Sequence, residues 1–359
     1  DNVTVGEGGG VYSNSLHAMA AQGQTSNNRN VEMRNAEARR ARATALADLN
    51  SDGCCPDLVE EGMMHAMLVD CEIRGNSAQR GGGIWTASLS NIMLMDCVIA
   101  DNTAEKGAGM YNENTSPTVM DCVFSGNVAV IGGGGMYSDL GSPTVDGCTF
   151  LYNDAGLDVP GGGGGGGGSG GGGMWNTGGT PTITNSNFCN NEGSFGAGVY
   201  FIFDCLGVVQ NCVFMNNLAS EGAGLYMLED SDADVDDCTF LNNTVQGGQF
   251  PVGGAVSCYF SGPNINNCEL IGNSSELGGG GMYLEGSAPV VTNCRFIGNS
   301  AFNEADGFGG GLMNSFAAES TIVNCLFAGN SAKRGGGVAS MVFTTTNMVN
   351  CTIVDNTAT

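Results

Sequence analysis

Positive charge is what this sequence has least of. Only 11 of its 359 residues are Lys or Arg, against 36 Asp or Glu, which leaves a net charge of −25. Binding to nucleic acid rests on basic groups set against phosphates, so that class of partner is not expected. Histidine is nearly missing as well, with His17 and His65 alone. No run of eighteen apolar residues occurs, so no membrane-spanning helix is expected. No Gly-x-Ser-x-Gly elbow stands in context, and no Gly run leads into Lys-Ser or Lys-Thr. Acidic groups such as Glu60-Glu61 and Asp230 to Asp237 read as solvated surface on so acidic a chain, so no catalytic residue is assigned and an enzyme is not expected. The sequence opens at Asp1 without a signal-peptide pattern, which reads as a processed product or a piece of something longer.

What is abundant is glycine, 61 residues, and cysteine, 15. Both are periodic. The stretch Pro117–Asn127, PTVMDCVFSGN, returns as PTVDGCTFLYN from Pro143, PTITNSNFCNN from Pro181 and PVVTNCRFIGN from Pro289. Its Cys position falls at 71, 97, 122, 148, 186, 212, 238, 268, 294, 325 and 351, and is Cys at each except Ser186. Most of these spacings are 25 or 26 residues. A fixed period of this length means a solenoid whose units stack.

Other columns accompany the cysteine. An apolar residue stands three before it, as at Val119 and Ile183. Another, usually Phe, stands two after it, as at Phe124 and Phe188. The Cys and its second neighbour share the period of two that puts side chains on one face of a strand. The earlier residue is out of phase, so a corner lies between. Position −1 supplies it with Asp, Asn or Gly (Asp121, Gly147, Asn185), the types that tolerate left-handed backbone. Five residues after the column comes Asn in every repeat, from Asn76 to Asn356. Stacked at a second corner, it can satisfy backbone groups that the corner leaves open. Then follow a Gly cluster, an apolar residue and, in many repeats, Tyr or Trp (Trp85, Tyr111, Tyr137, Trp175, Tyr200, Tyr226, Tyr283). This last column is expected to point outward, as an aromatic stripe that is exposed or covered by inserted loops.

Three short strands and three corners per repeat make an all-β, right-handed parallel β-helix of about 12 turns, rising roughly 4.8 Å each. A leucine-rich repeat has a similar period, but its Leu-x-x-Leu-x-Leu frame is absent. Residues 1–359 form one solenoid with two interruptions. Segment 14–62 is an insertion whose part 30–48, rich in Ala, Arg and Glu, reads as a helix. Segment 155–173 holds the run Gly161–Gly173 and reads as a flexible loop. The column cysteines sit whole turns apart, not in the close pairs of a zinc site, and read as inert core.

The motifs Phe-x-x-Asn (Phe124–Asn127, Phe150–Asn153, Phe214–Asn217) and Gly-Gly-Ala-Val (Gly253–Val256) resemble the repeats of polymorphic membrane proteins. Those are surface adhesins with a β-helical passenger. The resemblance implies an extracellular or cell-surface location and cell-surface glycans as partners. The family's C-terminal membrane barrel is not found in this sequence. A second resemblance lies in the insertion. Asp48, Asn50, Asp52 and Gly53 are similar to the calcium loop of extracellular propeller-type repeats, with Asp57 as a fourth ligand. Cys54-Cys55 adds a residue before Asp57. The resemblance implies calcium, and oxygen ligands at alternate positions suit that hard cation.

The expected function is therefore a non-catalytic structural or adhesive β-helix. Asp1-Asn2 and Asp355-Asn356 occupy the same phase of the repeat, so the chain is expected either to be cut from a longer rod or to stack end to end on copies of itself, as in a filament or surface fibre. The alternative is a β-helix that binds or cleaves polysaccharide along a groove lined by charged residues.

Overall fold

In the computed structural model, residues 11–13, 66–87, 90–156 and 169–359 are described. The helix expected at 30–48, the whole insertion 14–62 and most of the Gly-rich loop lie outside them. The described chain is a parallel β-helix with no α-helix. It has four sheets of eleven strands each, where three per turn were expected, and about eleven turns in place of twelve. One turn contains the strands Met110–Glu113, Thr118–Met120, Val123–Ser125 and Val128–Gly132. We number the sheets first to fourth in that order. The fourth went unseen because most of its strands pair through two residues and bury one small side chain, as Ala104, Ala129 and Ala219 do. So brief an alternation leaves almost no periodic signal.

Register follows the columns. Val119 pairs with Val145 and Phe124 with Phe150, all in parallel. The Cys122 amide donates to Cys148 Sγ at 3.4 Å. Position −1 adopts the left-handed corner, with φ of +51° at Asp121 and at Asn185. Inside, the phenyl rings stack nearly flat. Phe188 lies 4.8 Å from Phe150 and 5.0 Å from Phe214 between centroids, with planes within 9°. Offset stacking at such distances adds to the burial itself.

The invariant Asn forms a second interior ladder. Asn191 shows the full set of bonds. Its Nδ2 donates to the Phe150 carbonyl at 3.0 Å and to Asn217 Oδ1 at 3.1 Å. Its Oδ1 accepts from both the backbone N and Nδ2 of Asn153, each at 3.0 Å. Every amide group is used, so a polar column is tolerated in the core.

Among the described residues one buried amide has neither of its atoms satisfied. The third residue of each first-sheet strand forms a column that is polar at Thr86, Asn112, Ser138 and Asn176, then apolar at Phe201, Met227, Cys258 and Leu284. Asn112 Nδ2 reaches Ser138 Oγ at 3.1 Å. Asn176, at the change of character, is fully buried with neither amide atom hydrogen-bonded. An unpaired buried polar group costs about 1–3 kcal/mol. Asn176→Leu, which extends the apolar run, is expected to stabilise the rod by a similar amount, read as a raised thermal unfolding midpoint.

Candidate functional site

Two corners of the rod carry side chains that lie outside the main core. The first is the corner between the fourth and first sheets. Each turn there carries a Gly at positive φ, such as Gly107 at +59° and Gly133 at +63°. The reversal folds the end of the fourth strand back over the aromatic column. The rings do lie outside the main core, as expected, but they are not exposed. Tyr111 is 1% and Trp175 7% accessible. They stack on one another (Tyr111 to Tyr137 5.2 Å, Tyr137 to Trp175 5.3 Å) and fill the corner. A Cβ on Gly132 would overlap the Trp175 ring, which explains the glycine there.

Charge lines this filled corner. Arg80 lies 5.5 Å from the Tyr111 centroid and Lys106 Nζ 5.1 Å from that of Tyr137. Such cation–π contacts suit long basic side chains laid over a ring. Further along, Glu221 takes the same column position. Tyr226 Oη donates to Glu221 Oε2 at 3.3 Å, and Tyr283 Oη to Glu285 Oε2 at 2.5 Å. Burial pushes the Glu221 carboxyl up to about 7, against the hydrogen bonds from Tyr226 and Tyr259 and with help from the nearby Glu285 charge.

The sign of the consequence follows from linkage. A carboxyl raised in the folded state adds stability that is full below its unfolded pKa, about 4.3. That stability is lost as pH rises through about 7. The swing is up to about 3 kcal/mol. In thermal unfolding between about pH 4 and pH 8, Glu221→Gln is expected to lack this component, so that the variant gains on the wild type as pH rises.

The second is the corner that follows the first sheet. The residue after each first-sheet strand is left-handed in turn after turn. Asn114, Gly178 and Gly286 suit that conformation. Leu140 (φ +56°), Phe203 (+61°), Phe260 (+49°) and Phe316 (+42°) do not. A large side chain held there costs about 1–3 kcal/mol. These four are also exposed; Phe260 is 58% and Phe316 55% accessible. From Leu140 to Phe316 they alternate with Gly178, Glu229 and Gly286, one bulky residue every second turn; the next turn breaks the alternation with Val342 (φ +50°), which is 44% exposed. The Phe260 ring lies across Gly286, where a Cβ would come within 2.5 Å of its Cδ1. Sequence reasoning missed this ridge because loops of unequal length follow it and the alternation skips a turn. The signal was present as a large apolar residue just before each short turn, as in Leu140-Gly-Ser-Pro and Phe260-Ser-Gly-Pro.

Of the residues singled out from sequence, Asp48, Asn50, Asp52 and Asp57 lie outside the described residues. Among those described, no three His, Cys, Asp or Glu side chains are grouped as a metal would require. The column thiols are unlinked and, apart from the half-buried Cys351, buried; Cys189, off the column, is half-buried as well. Burial pushes the Cys205 thiol up to about 12 and raises that of Cys258 further. Among the described residues no helix is long and apolar enough to cross a membrane.

Comparison with known proteins bears on the fold. A search of curated proteins and a search of solved structures return no match. The family model described as right handed beta helix region matches residues 11–165 and 170–358. With nearly the whole chain matched and every described turn stacked in parallel register, this chain belongs to the right-handed β-helix family.

Proposed function

We propose that this chain is a non-catalytic structural or adhesive rod of the cell exterior that lengthens by axial pairing with others like itself. One observation carries the reading. Each interior turn buries the same columns against both neighbours, Phe188 between Phe150 and Phe214 and Asn191 between Asn153 and Asn217, so a turn of like composition from another chain can continue the register. Open parallel edges of matching composition template further pairing. The pattern shared with polymorphic membrane protein repeats, Phe-x-x-Asn with Gly-Gly-Ala, supports adhesion outside the cell. Electron microscopy across a concentration series tests it. Thin filaments with the β-strand repeat along their axis are expected. Dispersed short rods at every concentration would sink the reading.

A further inference from the structure

We infer that the exposed ridge Phe203–Phe260–Phe316 is a docking surface for an extended, uncharged β-1,4-linked glycan. The inference rests on the adhesive half of the function proposed above and names its ligand. Three observations carry it. First, the ridge is poorly placed to serve the fold. Each ring sits on a left-handed backbone position that Gly or Asn would fill without strain, and each is about half exposed. Apolar groups kept where they oppose stability point to a surface used for binding.

Second, the spacing suits a repeating ligand. Phe203, Phe260 and Phe316 follow the equivalent residues Ile202, Tyr259 and Ser315, each two turns from the next. Two turns rise about 10 Å. A β-1,4-linked chain turns every sugar over relative to the last, so one face recurs once per disaccharide, a length of the same order. Its apolar C–H faces stack on aromatic rings. The Phe260 ring lies over Gly286 and remains 58% accessible, which leaves ring surface for a sugar to stack on. Glu229, exposed between Phe203 and Phe260, offers a hydrogen-bond acceptor to sugar hydroxyls.

Third, charge selects among occupants. The chain carries −25. A second copy laid side by side, without the strand-edge pairing of the axial contact, would meet like charge, as would an acidic protein or an anionic lipid surface, whereas a neutral glycan meets none.

The test is depletion of the full chain from solution by microcrystalline cellulose and by chitin, in separate arms, with granular starch as the α-linked control. Binding to at least one of the first two and none to starch is expected. The variant carrying Phe203→Asn, Phe260→Asn and Phe316→Asn should bind at least about tenfold more weakly, from the loss of three stacking contacts. Its thermal midpoint should be unchanged or higher, since Asn accepts left-handed backbone. The proposal is overturned if the wild type stays in solution with both matrices, if it binds starch equally, or if the variant binds as well as the wild type. A lowered midpoint in the variant also counts against it, because the ridge would then serve the fold. Sedimentation that shows side-by-side pairing of the wild type, abolished in the variant, would make the ridge a seam between copies instead. Filament length by microscopy is read on the same variant. Loss of filaments in the wild type removes the axial-pairing reading alone, and loss of glycan binding removes this one alone.

Discussion

Asn191→Asp is expected to destabilise the rod by about 3–5 kcal/mol, because it leaves an uncompensated charge in the interior. The Asn191 oxygen has two donors, but its Nδ2 faces two acceptors, the Phe150 carbonyl and Asn217 Oδ1. A carboxylate there sets oxygen against oxygen at both. Burial and the two facing acceptors disfavour the charged form, so the folded pKa of the new acid lies above the unfolded value near 3.9. The destabilisation is therefore smallest below about pH 4 and grows as pH rises. Asn191→Ala loses the same bonds without the charge and is expected to cost less. Thermal or denaturant unfolding of the two variants at acid and neutral pH checks both statements. Equal behaviour of Asp and Ala across that range would show that the ladder is not held by amide donors.

Phe188→Ala is expected to cost about 3–5 kcal/mol, from lost transfer energy and the cavity left behind. The ring sits between Phe150 and Phe214, fully buried, in a stack that cannot close without bending the strands on either side. Phe188→Leu, the residue type that the column itself uses at Leu270, is expected to cost less. Because the turns are coupled to their neighbours only, the loss should be local. Hydrogen exchange should show loosened amides in the turns around Phe188 and little change near Phe296.

The sequence carried the fold well wherever a side chain recurs with a fixed role. The Val119, Cys122, Phe124 and Asn127 columns were legible because each must fit over a copy of itself, which permits few residue types. The left-handed corner at Asp121 was legible for the same reason. The fourth sheet was not, since two residues with one buried Ala at position 129 make no pattern. The aromatic column was placed outside the core correctly, but its burial depends on how far the chain turns back at Gly133, a backbone angle that no residue count gives. The Phe ridge required knowing which residue of each unequal loop is left-handed. That is a matter of three-dimensional equivalence and not of spacing.

The amide ladder has a further consequence. Each Nδ2 points to the Oδ1 of the following turn, from Asn76 through Asn102, Asn127 and onward to Asn356, and never the other way. The rod is thus a vectorial object whose carboxamide dipoles all point along one direction. A partner of the same kind can continue that series only head to tail, so association through it propagates without closing and cannot give a two-fold symmetric pair. Fibres built this way would have distinguishable ends and grow at unequal rates from them.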